Sequence, residues 1–380
     1  MKKVLILANH FITLYAFRKE LVNELLESGN EVYLSLPDSP ENTYFQDKGC
    51  KIINTPLDRR GTNPLSDFKL LIQYVKIIKE LKPDIILTYT IKPNTYGGIA
   101  AGFLNTKAIH TVTGLGSVYI QNMWQRKIAV FMNKIAFKSA SKVFFLNEHN
   151  REFYGDLGII KKGQATKIVP GSGVNLNKFK YKELSVSKGT TFTFVARILK
   201  DKGIEEYLEA AKNLKSLNPQ LKFQVVGFVD EEKYIDLLKQ YQDEGIIEYL
   251  GKRNDIPSVM EKSSCIVLPS YGEGRGTVLQ EGAAIGRPLI TCDTYGCKDN
   301  VEEGVNGYLC KVANAKSLEE AMRKFLELSM EEKINMGRKS RKKAEKEFDR
   351  KLVIETYIKE VNKLIRDEDS GYENVSRAIK

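Results

Sequence analysis

One stretch of this sequence decides the fold: Ser270-Tyr271-Gly272-Glu273-Gly274-Arg275-Gly276-Thr277-Val278-Leu279-Gln280-Glu281-Gly282. The short apolar run before it, residues 265–268, is typical of a buried parallel strand. Good helix formers follow over residues 277–285, so the pattern predicts a strand, a glycine-rich loop and a helix. The first turn of such a helix offers unpaired backbone N–H groups and the positive end of the helix dipole, which suits a phosphate group.

Two carboxylates bracket this loop, Glu273 at its start and Glu281 within the helix. A carboxylate accepts hydrogen bonds from hydroxyl groups, so a phosphate cradle between two carboxylates suits a nucleotide sugar. The spacing alone fits a second interpretation equally well. In that one, the glycines only satisfy the geometry of a strand-to-helix turn and both glutamates are solvated.

The Glu-x7-Glu spacing with this glycine pattern resembles glycosyltransferase family 4, a large family of retaining enzymes with the GT-B fold. Three further segments resemble motifs of that family in the same order. Arg197-x4-Lys202-Gly203 is similar to its diphosphate clamp, residues 172–175 to its Gly-Val-Asp linker motif with Asn175 in place of Asp, and residues 304–308 to its late Asn-Gly turn. The resemblance is strongest over residues 170–310 and weakens outside them.

The resemblance implies an α/β chain with two Rossmann-like domains that face each other across a cleft. We place an acceptor-binding domain at residues 1–175, a polar linker at 176–187 and a nucleotide-sugar-binding domain at 188–350. A terminal helix within residues 351–380 is expected to cross back to the N-terminal domain. The alternation of strand and helix patterns in both halves independently predicts parallel sheets covered on both faces. A length of 380 residues also favours two cores over one.

The resemblance also assigns roles in donor binding. Glu281 is implied to bind the ribose hydroxyls, and Glu273 the hydroxyls of the donor sugar. Arg197 and Lys202 would stabilise the departing diphosphate, so neither a metal ion nor another cofactor is expected. The cradle is completed by residues of the loop and first helical turn: Gly274, Arg275, Gly276, Thr277 and Val278.

Further assignments concern the base and the acceptor. Residues Arg253, Asn254 and Ile256 lie where contacts to the nucleotide base often fall in the family. Arg275 replaces the family's usual phenylalanine, so its side chain is a candidate contact for a charged or acidic acceptor.

Two loops in the first half resemble those of a family 4 subgroup that extends lipid-linked glycans for capsule, O-antigen or protein glycosylation. They are Thr90–Gly97 and Thr113–Ser117, and their candidate acceptor contacts are Lys92, Asn94, Gly114 and Gly116. Many family members carry a histidine at the end of the strand before the first loop, and none lies between Thr88 and Asn94. Either Lys92 and Asn94 replace that contact, or backbone carbonyl groups suffice.

The N-terminus predicts a strand from Lys3 to Ala8 and then one helix with Leu14, Phe17, Leu21 and Leu25 on one face. The loop between them lacks the GxGxxG fingerprint of a dinucleotide-binding fold, which argues against a dehydrogenase. Arg18 lies early in this helix. It either faces the cleft or is solvated at the surface, and the second is favoured.

Composition excludes several classes of protein. Five cysteines without a CxxC pair indicate reduced thiols and no zinc ribbon. No apolar run approaches the roughly 20 residues that span a bilayer, and the opening residues read as a strand and not as a signal peptide. The net charge of +11 suits an anionic partner, but no nucleic-acid-binding motif accompanies it, so no nucleic acid is expected.

Residues 123–142 predict a basic amphipathic helix that contains Trp124, the chain's only tryptophan. The pattern fits two interpretations equally. One is a helix on an anionic membrane surface, and the other is a core-facing helix with lysines at its solvated edge. The first would place the protein at the cytoplasmic face of the cell membrane as a peripheral protein.

Together these features predict a retaining glycosyltransferase that moves a hexosyl or N-acetylhexosaminyl group. Its donor is expected to be a UDP-sugar and its acceptor a saccharide linked to a lipid diphosphate. Two alternatives stay open, a UDP-sugar 2-epimerase of GT-B type and a catalytically silent GT-B scaffold protein.

Overall fold

The computed structural model describes residues 1–58, 61, 63–115, 123–185 and 189–378, with side chains described as far as residue 366. The chain divides into two compact units. Unit 1 comprises Met1–Ser172 and Val353–Lys380, and unit 2 comprises Gly173–Leu352.

Unit 1 contains a parallel sheet of seven strands. They are β1 (Lys3–Leu7), β2 (Glu31–Leu36), β3 (Lys51–Asn54), β4 (Ile85–Tyr89), β5 (Ala108–Val112), β6 (Lys142–Phe145) and β7 (Thr166–Ile168). Their order across the sheet is β3-β2-β1-β4-β5-β6-β7. The chain therefore winds outward in one direction from β1 and in the other from β4. Ligands of such sheets bind beyond the carboxyl ends of the strands at this switch point.

The helices of unit 1 cover both faces of this sheet. They are α1 (Phe11–Phe17), α2 (Lys19–Glu27), α3 (Thr43–Gln46), α4 (Pro64–Leu81), α5 (Gly98–Phe103), α6 (Met123–Lys138) and α7 (Glu148–Asp156). A π-helical turn, Pro93–Gly97, leads directly into α5.

The prediction of a single helix after β1 is wrong, because the helix is interrupted at Arg18 and forms α1 and α2. The favoured prediction of a solvated Arg18 is also wrong. Its side chain is only 5% exposed, and its guanidinium lies 5.0 Å from the ring centre of Tyr89 and 5.4 Å from that of Tyr357. Cation–π contact with two aromatic rings thus replaces solvent around this charge.

Unit 2 contains a parallel sheet of six strands. They are β8 (Thr191–Val195), β9 (Lys222–Val226), β10 (Glu248–Tyr249), β11 (Cys265–Leu268), β12 (Leu289–Cys292) and β13 (Gly307–Cys310). Their order is β10-β9-β8-β11-β12-β13, so the switch point lies between β8 and β11. Its helices are α8 (Ile204–Leu217), α9 (Tyr234–Asp243), α10 (Ile256–Glu261), α11 (Thr277–Ile285), α12 (Ala315–Glu327) and α13 (Met330–Lys343).

The described part of the predicted linker belongs to unit 2 and packs within it. Phe179 and Leu184 are buried, and the backbone N–H of Lys182 donates to the carbonyl oxygen of Ile285 at the end of α11.

The last helix, α14 (Arg350–Ala378), returns the chain to unit 1. Its buried side chains in the core of that unit are Val353, Tyr357, Val361 and Ile365. Polar contacts add to this packing, because Tyr357 and Thr111 share a hydrogen bond of 2.8 Å between their hydroxyl oxygens. The prediction of two α/β domains with a returning terminal helix is confirmed. No helix in the part of the chain that the structure describes is both long and apolar enough to cross a membrane.

Candidate functional site

Three loops of unit 2 meet at the carboxyl edge of its sheet, after β8, β11 and β12. Glycines allow the close approach. A Cβ at Gly203 would lie 2.1 Å from the carbonyl oxygen of Pro269, and a Cβ at Gly296 would lie 2.0 Å from that of Glu273. Both glycines also have positive φ angles, +75° and +70°. No other residue type fits these two positions without moving the backbone of the neighbouring loop.

Hydrogen bonds fix the three loops to each other. The N–H of Tyr271 donates to the carbonyl oxygen of Asp201 (2.9 Å), and the N–H of Glu273 donates to that of Tyr295 (3.2 Å). The buried amide of Asn300 donates to the carbonyl oxygens of Arg275, Gly296 and Cys297 at 3.0, 2.9 and 3.0 Å. Asn300 was not predicted from the sequence, because its acceptors lie on two different loops.

The centre of this site is an ion pair between two predicted site residues. The Nζ of Lys202 lies 2.5 Å from Oε1 of Glu273, and both side chains are 17% exposed. Lys202 ends a short 3-10 turn directly before Gly203 and α8, so its backbone is held by the adjoining helix. The structure thus brings together a cation predicted for the diphosphate and a carboxylate predicted for the donor sugar.

Arg197 lies at the same edge of the sheet but is more open. Its Nη1 is 2.8 Å from Oδ2 of Asp230, and its side chain is 47% exposed. An exposed pair of this kind contributes little to stability, so Arg197 can exchange Asp230 for another anion at small cost.

The predicted phosphate cradle is the start of α11. Gly276 precedes the helix, and no side chain caps it. The first-turn amide groups of Thr277 and Val278 therefore have no acceptor within the helix. Together with the helix dipole they favour an anion at this end of α11.

Glu281 lies in the second turn of α11 and keeps a small exposed fraction. Burial of the carboxyl group raises its pKa to about 7, and the nearby charges of Lys178 and Arg350 oppose the rise. Near neutral pH this carboxyl group therefore changes readily between its neutral and charged forms. Lys178 and Arg350 were missed from the sequence, because they come from the two ends of unit 2.

The side chain of Arg275 is directed into unit 2. Its Nη1 lies 3.1 Å from Oδ2 of Asp299, and its guanidinium carbon lies 5.9 Å from the ring centre of Phe348. Burial lowers its pKa, and Asp299 and Glu347 oppose that effect. Its contact with an acidic acceptor stays a prediction, and such an acceptor would have to compete with Asp299.

The residues predicted to contact the base follow the edge strand β10. Arg253 is exposed and forms a bidentate pair with Asp255 at 2.8 and 2.7 Å. Ile256 begins α10, which packs against α11. Arg253, Asn254 and Ile256 therefore lie at the same edge of the sheet as the three loops, two strands away from β8.

In unit 1 the first predicted acceptor loop is held by a buried polar network. Asn94 accepts from the hydroxyl of Thr88 (2.6 Å) and donates to the carbonyl oxygen of Thr111 (2.8 Å). Thr88 also contacts Nδ1 of His110 at 2.6 Å, and burial lowers the pKa of His110 to about 4, which keeps its ring neutral. These bonds engage both ends of the Asn94 amide, so in this structure Asn94 positions the loop.

Of the other three predicted acceptor contacts, Lys92 and Gly114 lie outside this network. Lys92 pairs with Asp67 of α4 at 2.6 Å. Gly114 borders open space where a Cβ would stand, and Gly116 lies outside the described residues.

Within the described ranges, no group of three or more His, Cys, Asp or Glu side chains is placed to hold a metal ion. The five cysteines are buried and free.

Two family models match the chain, one in each unit. The model described as glycosyl transferase 4-like matches residues 3–147, and the model for glycosyl transferases group 1 matches residues 177–343. Together they include the predicted acceptor loops, the three loops of unit 2 and helix α11.

Similar proteins span almost the whole chain. The N,N'-diacetylbacillosaminyl-diphospho-undecaprenol α-1,3-N-acetylgalactosaminyltransferase of Campylobacter jejuni is 28% identical over 372 residues, 93% of this chain and 97% of its own length. The capsular polysaccharide biosynthesis glycosyltransferase CapM of Staphylococcus aureus is 26% identical over 91% of this chain and 93% of its own. An Escherichia coli UDP-Gal:α-D-GlcNAc-diphosphoundecaprenol α-1,3-galactosyltransferase is 27% identical over 77% and 79%.

Solved structures share the fold at lower identity. HepE of Anabaena, in complex with UDP and glucose, superposes with a TM-score of 0.76 at 20% identity over 96% of this chain and all of its own. A glycosyltransferase of Rickettsia africae gives a TM-score of 0.77 at 17% identity over 96% and 98%.

Proposed function

The chain belongs to the family 4 type of glycosyltransferase with the GT-B fold, and from that premise we propose that it transfers a sugar from a UDP-sugar to a lipid-diphosphate-linked saccharide. The printed names of the Campylobacter and Escherichia coli relatives specify diphosphoundecaprenol-linked acceptors, which supports this acceptor class. The UDP bound in HepE supports a uridine nucleotide.

The observation that carries the proposal is the Lys202–Glu273 pair beside the uncapped start of α11. The pair lies at the switch point of the unit 2 sheet, where nucleotides bind in such folds. We assign the diphosphate to Lys202, Arg197 and the amides of residues 274–278. Glu281 is assigned to the ribose hydroxyls and Glu273 to the donor sugar. Unit 1 is assigned to the acceptor.

The reaction we propose forms a bond from an acceptor hydroxyl oxygen to the anomeric carbon of the donor sugar. The bond from that carbon to the diphosphate breaks, and the acceptor proton passes to the departing phosphate oxygen. Attack on the leaving-group face gives retention of configuration. Negative charge grows on the diphosphate in the transition state, and the fixed charges of Lys202 and Arg197 stabilise it.

A panel of UDP- and GDP-sugars tests the function, each incubated with and without a saccharide on a polyprenyl diphosphate. We expect nucleoside diphosphate release that depends on the acceptor and is fastest with one UDP-sugar, together with a lengthened glycan by mass spectrometry. Inversion at C2 without an acceptor would indicate the epimerase instead. Absence of turnover with every donor would indicate the scaffold.

Metal independence is a separate prediction, motivated by the two cations at the proposed diphosphate site. Transfer should continue at an undiminished rate in excess EDTA. Loss of activity in EDTA with recovery on addition of Mn²⁺ would mean that a metal ion neutralises the diphosphate.

We also propose that α6 contacts the cytoplasmic face of an anionic membrane. Four apolar side chains on one face of this helix are 44–73% exposed: Trp124, Ile128, Phe131 and Ile135. Lys127, Lys134 and Lys138 flank them, and the opposite face buries Asn133, Ala136 and Phe137. An exposed apolar row beside a row of lysines is the pattern of an interfacial helix.

Charge reversal tests this contact. Each lysine near an anionic surface contributes about 1 kcal/mol, so a Lys127/Lys134/Lys138→Glu variant should lose about tenfold or more in binding to anionic vesicles. The matched control is Lys339/Lys342/Lys346→Glu, which makes the same charge change on exposed residues of unit 2. Equal flotation of the two variants with liposomes would refute α6 as the contact.

A further inference from the structure

Helix α4 carries a row of exposed apolar side chains, as α6 does. Leu65, Phe68 and Ile72 are 74, 60 and 52% exposed. Their spacing of three and four residues places them on one face of the helix. The helix already buries a different row against unit 1, formed by Leu70, Tyr74, Ile77 and Ile78. An apolar row that the core does not use indicates an interaction surface.

The topology places this row near the one on α6. Helix α4 leads from β3 to β4 and α6 leads from β5 to β6, so both run back against the parallel strands and both begin at the carboxyl edge of the sheet. The exposed apolar residues of α4 lie in its N-terminal half, and those of α6 begin at its first turn. Both helices pack against α5 and the Pro93–Gly97 turn, which lie between them. The two rows therefore belong to one helical layer and flank the first predicted acceptor loop.

The charges around the α4 row favour an anionic partner. Exposed lysines beside it and further along the helix are Lys69, Lys76 and Lys79. Of the acidic side chains of α4, Asp67 is held by Lys92 (2.6 Å) and the hydroxyl of Tyr96 (2.9 Å), and Glu80 lies 3.9 Å from Lys76. The outer face of α4 thus presents apolar side chains and unneutralised positive charge, as α6 does.

We propose that the outer face of α4 is a second membrane contact, at which Leu65, Phe68 and Ile72 enter the apolar layer of an anionic bilayer beside α6. The inference rests on the proposed function, since a lipid-linked acceptor is presented at that surface. Two helices on either side of the loop at residues 90–97 would hold this edge of unit 1 against the headgroups, where the diphosphate of the acceptor lies.

A variant with Leu65, Phe68 and Ile72 each replaced by serine tests the inference. The matched control replaces three exposed apolar residues of unit 2, Leu217, Ile235 and Met330, by serine. Flotation is measured with vesicles of phosphatidylglycerol and phosphatidylcholine. Insertion of apolar side chains is not screened by salt, whereas lysine attraction is screened at about 0.5 M salt. We expect the wild type and the control to stay partly bound in that salt, and the α4 variant to lose about tenfold or more of its bound fraction.

Two further measurements distinguish a lost membrane contact from damage to the fold or to the donor site. UDP affinity and the melting temperature of the α4 variant should be unchanged, while transfer to an acceptor embedded in vesicles should fall more than transfer to a short-chain, water-soluble acceptor. Flotation equal to that of the control, or loss of a dimer on sedimentation without loss of flotation, would overturn the inference. If no acceptor is glycosylated by the wild type but the flotation difference holds, the proposed function fails and the membrane contact stands.

Discussion

Replacement of Lys202 by alanine is expected to lower the rate of sugar transfer by about 10²–10³-fold, because it removes one preorganised charge from the departing diphosphate. The fold should be unaffected. Lys202 lies in the loop after β8, outside the core of unit 2, and its partner Glu273 remains accessible to water. The loss should be seen in kcat at saturating donor, with an unchanged melting temperature.

Arg197→Ala should show a smaller loss than Lys202→Ala. Arg197 is 47% exposed and is paired with Asp230, whereas Lys202 is 17% exposed and fixed by the adjoining turn and helix. A charge that must first be ordered by the substrate gives less stabilisation than one already in place. The measurement is again kcat at saturating donor.

The control for both variants is Lys200→Ala, which removes an exposed lysine from the same 3-10 turn. This change should leave kcat within about twofold of the wild type, since a solvated charge contributes little. If Lys202→Ala behaved like Lys200→Ala, the assignment of the diphosphate to Lys202 would be wrong.

The sequence was sufficient for the fold and for the contact between Lys202 and Glu273, because both follow from local patterns. Strand and helix alternation predicts the two parallel sheets. Arg197, Lys202, Glu273 and Glu281 follow strands whose carboxyl ends are adjacent in such a sheet. Their placement at one edge of the sheet is therefore a consequence of topology.

Residues with distant partners could not be predicted in this way. Arg18 follows the helical periodicity of its neighbours and reads as a surface residue, but Tyr357 of the terminal helix covers it. Asn94 reads as a polar loop residue, yet its partners lie on β4 and at β5. The environment of Glu281 depends on Lys178 and Arg350, which are far from it along the chain. In each case burial is decided by an element whose position the local sequence does not encode.

Substitution of Glu281 and substitution of Glu273 are expected to have different effects. Glu281→Ala should weaken UDP binding roughly 10- to 150-fold, since a hydrogen bond to a charged acceptor contributes about 1.5–3 kcal/mol. Glu273→Gln should mainly lower turnover. Its UDP affinity should be unchanged or higher, because the substitution removes a negative charge from beside the diphosphate site and releases Lys202. Calorimetric titration with UDP measures both, and an equal loss of affinity in the two variants would contradict this division of roles.

Because the pKa of Glu281 is raised, its contribution to UDP binding should depend on pH. The carboxyl group is charged above its pKa of about 7 and neutral below it, and the charged form is the better acceptor for ribose hydroxyls. UDP affinity of the wild type should therefore fall as the pH is lowered from 8 to 6. Glu281→Gln should show a smaller fall than the wild type, because only the protonation of the UDP phosphate then contributes, and Glu273→Gln should keep the full fall.

The stability of the protein without UDP should change with pH in the opposite direction to UDP affinity, so that it falls as the pH rises. The pKa of Glu281 is raised from 4.5 in the unfolded chain to about 7 in the folded one, so the folded state binds the proton more tightly. Tighter proton binding adds to the free energy of unfolding below pH 4.5, and this contribution is lost as the pH rises through 7. Above pH 7 the charged, partly buried carboxylate therefore costs stability, and Glu281→Gln should raise the melting temperature by a few degrees at pH 8 while it weakens UDP binding. A melting temperature equal to or below that of the wild type at pH 8 would show that Lys178 and Arg350 already compensate the buried charge.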